Sequence, residues 1–170
     1  MKINVAVCIW IAVGGFLSML AVPCHAQSIC PWLNTATASG VLGGAARVEV
    51  RNPGTGTASC VFQLQNGAPT DTLRIAVIRT EQPENAGKAI KSYEVSCTSS
   101  GTPLKGVGNE ALLCVSNTKT SRGELVVGRV RDNIFTVAIS VGSGDDSAST
   151  QNALAEKAES IAKQVAGSLF

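Results

Sequence analysis

Histidine is nearly absent from this chain: His25 is the only one among 170 residues, and it falls near the end of an N-terminal apolar segment. Without it the remainder has no imidazole to activate a serine or cysteine, which excludes the common Ser-His and Cys-His nucleophiles. Metal sites lose their commonest nitrogen donor as well, and no C-x-x-C pair replaces it, so no metal and no cofactor is expected. Aromatic residues make up 4% of the chain. After residue 26 they are only Trp32, Phe62, Tyr93, Phe135 and Phe170, widely scattered. Charge is equally sparse at 15%, with a net value of +2 and no run of like sign. A nucleic-acid binder needs a basic patch, and aromatics to stack single strands, so no nucleic acid is expected as a partner. Repeats and low-complexity stretches are missing too. The glycines of Lys105-Gly106-Val107-Gly108-Asn109 feed a predicted strand, whereas nucleotide loops lead from a glycine turn into a helix, so phosphate cradling is excluded.

What the sequence does have is one long apolar run. Residues 1–26 read as a secretory signal: Lys2, then Ile3 to Val22, then Pro23-Cys24-His25-Ala26 as the small-residue cleavage pattern, with the mature chain starting at Gln27. The alternatives are an uncleaved membrane anchor, which Gly14-Gly15 and Pro23 disfavour, and lipidation of Cys24, for which Ala21-Val22-Pro23 is a poor signal. Membrane attachment is expected only through such a retained N-terminus. Residues 27–170 are expected to form a single domain in a periplasmic or extracellular setting. Of the 6 cysteines, Cys8 and Cys24 leave with the signal. The even remainder, Cys30, Cys60, Cys97 and Cys114, implies disulfides in an exported chain. Three pairings are open, with Cys30 to Cys60 and Cys97 to Cys114 placed first.

The clearest structural signal is Glu124 to Val141, two alternating apolar strands around Asp132-Asn133. A two-residue Asp-Asn turn of the I′ kind pairs Arg131 with Ile134, then Val130 with Phe135, Gly128 with Val137 and Val126 with Ile139. Those residues form a core face, and Gly128 is expected to make room for a helix. Arg129 and Arg131 fall on the other, half-apolar face. Upstream, Asn34-Thr35 caps a short helix that Gly43-Gly44 stops. Strands follow at 48–50 and 60–65, the second with Cys60, Phe62 and Leu64 inward. Leu73 to Arg79 is apolar on both faces, so both should be covered. A modest helix over 85–94, a loop over 98–103, the strand 112–115 and a polar loop over 117–123 precede the hairpin. Asp145-Asp146-Ser147 should cap a long last helix with Leu154, Ala158, Ile161, Val165 and Leu169 as its stripe. The order predicts an α+β fold: an antiparallel sheet of about six strands with helices on both faces.

Three segments carry a family likeness: Cys30-Pro-Trp-Leu-Asn-Thr leading to Val41-Leu42-Gly43-Gly44, Ser59-Cys60-Val61-Phe62, and Lys105-Gly-Val-Gly-Asn-Glu-Ala111. Together they resemble small exported bacterial envelope domains, mostly actinobacterial lipoproteins of unknown function, marked by a "C-x-L-L-T…L-G" helix and a "G-L-G-D-E-A" turn. That family is similar to the PsbP-like fold, so the resemblance implies an α/β/α sandwich and no particular activity. Asn109 stands where the family often has Asp.

These readings point to a non-catalytic exported binding module. Arg129 and Arg131 are its candidate ligand residues, because guanidinium groups hold a small anion or an envelope component by paired hydrogen bonds. The competing roles for the two arginines are plain solvation or pairing with Glu124, Asp132 or Glu110. A second function class is an accessory protein docking a partner chain through Leu125, Val127 and Ala138. A third is an unrecognised hydrolase built on a Ser-Lys or carboxylate pair, although Asp145-Asp146 read as a helix cap and Glu156 and Glu159 as a solvated face.

Overall fold

The computed structural model describes residues 29–54, 56–68, 71–80, 88, 90–93, 97–98, 100–119, 121–142 and 148–170. The expected signal 1–26 with its cleavage point, much of the helix over 85–94, and the Asp145-Asp146-Ser147 cap lie outside these residues.

Helix α1 spans Thr35–Leu42. It begins where Asn34 leaves the extended region and its side-chain oxygen accepts the Thr37 N–H at 2.7 Å, satisfying one orphan donor of the first turn. It ends at Gly43, whose φ of 79° is the left-handed conformation that glycine adopts without cost. Strands β1 (Ala46–Gly54), β2 (Thr57–Leu64) and β3 (Thr72–Arg79) then form a meander. Residues 88 and 90–93 are helical (α2). A second meander follows: β4 (Thr102–Pro103), β5 (Glu110–Val115), β6 (Ser121–Val130) and β7 (Asn133–Gly142), then α3 (Ala148–Ser168). The 7-stranded antiparallel sheet has the order β1-β2-β3-β7-β6-β5-β4, so the two meanders join where β3 pairs with β7. The strand beyond the expected six is β4, read from sequence as loop. Thr102 and Pro103 pair with Leu113 and Leu112 at the sheet edge, where proline's missing donor costs nothing. Ser121 to Gly123, also expected as loop, extend β6.

One face of the sheet carries the main core. Phe62, Leu73, Ile75, Phe135, Val137 and Val126 are fully buried there, against Ala38 of α1 and the stripe of α3. In α3 the buried residues are Leu154, Ala158, Ile161, Ala162, Val165 and Ala166: four of the five stripe residues read from sequence, with two alanines added, while the fifth, Leu169, lies past the helix end and is only partly buried. Each large apolar side chain so buried contributes about 1.5–3 kcal/mol. Lys157 of α3 donates to the Val41 carbonyl at 2.9 Å, tying it to the open end of α1. A smaller cluster joins Ile90 to Val127 and Ile134, with Tyr93, Leu112 and Leu125 packed against it. These sheet residues have the opposite parity from the main core.

Disulfides link Cys30 to Cys60 and Cys97 to Cys114, with Cα separations of 5.8 and 5.7 Å. The first pins the approach to α1 onto the core face of β2. The second fastens the segment after α2 to β5.

The β6–β7 hairpin departs from the expected register. Its turn is Arg131-Asp132, Val130 pairs with Asn133, Gly128 with Phe135, Val126 with Val137 and Arg129 with Ile134. Every partner is displaced by two residues, which preserves the face of each side chain, so the core face survives the slip. Arg131 has φ 55° and is the only described non-glycine residue in the left-handed region, a φ pattern of the II′ rather than the I′ kind. Gly128 also has a different neighbour from the one expected. A Cβ there would lie 2.4 Å from Phe135 Cζ, so the missing side chain admits the ring of its cross-strand partner, not a helix.

Candidate functional site

At the turn end of the hairpin the structure parts the two arginines. Arg131 occupies the turn, is exposed, and sets its guanidinium over the Phe170 ring, 5.9 Å from the centroid. Arg129 lies on the sheet face of Val127 and Ile134, half-buried, with one terminal nitrogen 3.3 Å from the Arg131 carbonyl. Its Nε is buried without an acceptor among the described residues. None of the three expected carboxylates is an ion-pair partner of either arginine among the described contacts. Asp132 pairs with Arg79 at 2.9 Å, Glu124 lies on the opposite sheet face, and Glu110 is the cross-strand neighbour of Arg129. The Asp132 carboxyl is held below its ordinary value by its own backbone N–H and by Arg79, with the charge of Arg131 adding a smaller pull in the same direction.

The glycine-rich segment 105–109 serves this turn. The Asn109 N–H donates to the Arg129 carbonyl at 2.8 Å, and its side-chain oxygen accepts the Arg131 N–H at 2.7 Å. A Cβ at Gly108 (φ 64°) would sit 2.4 Å from the Arg129 carbonyl oxygen, so the approach requires glycine. Val107 between the glycines is 1% exposed and plugs the core. An aspartate in place of Asn109 would offer the same acceptor.

The apolar patch around Leu125, Val127 and Ala138 is closed at its centre: Val127 is 2% exposed beneath Ile90. Glu156 is exposed on α3, and Glu159 forms an i,i+4 pair with Lys163 at 2.7 Å.

A different residue stands out at the other end of the same hairpin. Glu124 is 3% exposed and is the one buried charged side chain among the described residues. Its even number in β6 places it with Val126, Gly128 and Val130 on the core face, across from Ile139 and Val115. Burial raises its carboxyl above the ordinary value, while a hydrogen bond from the Gln151 side chain in the first turns of α3 works the other way. Two hollows meet at this carboxylate. One is a void of about 10 Å³, roughly one water in size, bordered by Arg122, Asn117 and Thr150. The other, of about 200 Å³, is a groove between α3 and the β4–β5 edge, open to solvent. Leu113, Val115 and Ala155 give it apolar walls, and Ser100, Thr102 and Asn152 a polar rim.

In the sequence Glu124 stands out only as the start of a strand and a candidate partner for the arginines. The signal was present in the alternation, since a carboxylate in phase with Val126 and Val130 must face the core.

No group of three or more metal-ligating side chains occurs among the described residues, and no helix there is long and apolar enough to cross a membrane. Compared with known protein families, with characterised proteins and with solved structures, the chain matches none.

Proposed function

We propose that this protein is a non-catalytic binding module of an exported, oxidising compartment, and that a small polar ligand seats in the groove between α3 and β5, over Glu124. The observation that carries the reading is Glu124, 3% exposed beside the buried Val126 on the core face, lining a groove of about 200 Å³. A buried carboxylate is costly unless its lone pairs are satisfied, and a ligand donor meets that need. The two disulfides support an oxidising location, and the secretory pattern of residues 1–26 supports export. Membership of the envelope-domain family with a PsbP-like α/β/α sandwich belongs to the same proposal. Its supports are the Cys30-to-Cys60 link, the Asn109 turn and the packing of Ile90 on the face opposite α1 and α3.

Nuclear magnetic resonance of the mature chain against a library of small polar compounds tests the site. The expected result is shifts centred on Gln151, Leu113 and Ala155; shifts confined to the Arg129–Asn133 turn would move the site there. One observation favours that second reading, an anion at the hairpin turn: the Arg129 Nε, buried and without an acceptor among the described residues. Substituting Arg129 and Arg131 with alanine should then abolish the shifts.

A further inference from the structure

The geometry points to a small organic amine as the ligand of the Glu124 groove, bound as its ammonium ion with an aliphatic body; this rests on the groove being the binding site. Charge makes the first selection. Among the described residues that line the groove, Glu124 is the only one with a formal charge, and neither Lys nor Arg is among them. Arg122 borders the small void that also touches Glu124 and is not among the described residues lining the groove. Among the described lining residues an anion entering here would therefore meet a buried carboxylate and no cation.

Donor count makes the second selection. A carboxylate has about four lone-pair sites and no proton to give, so its ligand must bring N–H or O–H groups. The Gln151 side chain donates to Glu124 and itself lines the groove, so one of the carboxylate's lone-pair sites is taken and others remain for a ligand donor. An ammonium group carries three N–H donors and can serve those sites. The walls make the third selection. Leu113, Val115 and Ala155 offer apolar surface that a bare metal ion cannot use. A metal ion would also need several oxygen ligands, and the described lining residues supply one carboxylate. No aromatic ring is among the described residues lining the groove, which therefore offer no cage for quaternary ammonium and favour an amine that donates hydrogen bonds.

The test is calorimetry on the mature chain at neutral pH with four probes, n-butylamine, 1-butanol, sodium butyrate and calcium chloride, alongside NMR of the Gln151 side-chain amide. The amine should bind at least ten-fold more tightly than the alcohol, with butyrate and calcium silent. Glu124→Gln should weaken the amine by roughly ten- to a hundred-fold, the scale of a charge-assisted hydrogen bond. Ala155→Phe, which fills the groove and keeps the carboxylate, should abolish amine binding while circular dichroism stays unchanged. Equal binding of amine and alcohol, with the Gln151 amide shifting, overturns the amine and leaves the groove as the site. Calcium binding tighter than the amine, or undiminished amine binding by Glu124→Gln or Ala155→Phe, also overturns the proposal. No shift with any probe overturns both the amine and the groove.

Discussion

Glu124 shows how one residue can be read correctly by position and wrongly by role. Its phase in β6 is legible from the alternation of Val126, Gly128 and Val130. Its seclusion is not, because that depends on α3 arriving over β6 and β7 from twenty or more residues downstream. The raised carboxyl has a definite consequence for stability. A native-state pKa above the unfolded value means the protonated form is favoured by folding. That contribution is full below the ordinary glutamate value of 4.5 and is lost as pH rises through the raised one. Glutamine cannot ionise, so Glu124→Gln should melt at a higher temperature than the wild type at pH 7, with the gap closing near pH 4. Melting curves at the two pH values check this, and a gap of the same size at both would show that burial does not tax the carboxylate. Gly128 is the second residue with a sharp expectation. Phe135 is fully buried and its ring fills the space of the missing side chain, so Gly128→Ala should cost about 1–3 kcal/mol in denaturant unfolding. A neutral or stabilising alanine would mean that the ring has somewhere else to go.

Among the elements, α1 and α3 were the most legible, because caps and a 3.6-residue stripe are local signals. The hairpin was legible in its faces and not in its pairing. Asp132-Asn133 has the letters of a two-residue turn, but distant partners select Arg131-Asp132 instead. Asn109 binds the Arg131 N–H, Arg79 binds the Asp132 carboxylate, and Thr80 donates to the Asp132 carbonyl through both N–H and hydroxyl, each at 2.8 Å. Turn chemistry read from two letters cannot contain those contacts. Strand β4 was illegible for a related reason: two residues carry no period, and the partners Leu112 and Leu113 define the strand. The disulfides join elements that the sequence had already paired in its first-placed scheme, and their loops set their worth. Spans of 30 and 17 residues correspond to about 3–4 kcal/mol each in the chain-entropy account. Replacing Cys97 and Cys114 together by serine should therefore lower stability by about 3 kcal/mol, measured by urea unfolding. A loss well under 1 kcal/mol would show that the reduced chain already holds the α2 segment near β5.

At the scale of the whole molecule, the α+β antiparallel architecture was legible from the order of elements, while the sheet order was not. Nothing in the letters of β3 says that its second neighbour is β7, because both strands are apolar and either could border several others. The structure settles it with a ladder from Thr72↔Ser140 to Arg79↔Asn133. That ladder orders events in time. The first meander is complete once Arg79 has been made, yet the inner edge of β3, with Ile75 and Val77 beside it, has no permanent neighbour until Gly142 has followed. Throughout that interval the nascent chain presents an unpaired apolar strand, the kind of edge that recruits other strands. Pairing across such a separation is slow, because the closure entropy of the intervening loop must be met first. The chain is therefore most open to mispairing before β7 closes on β3.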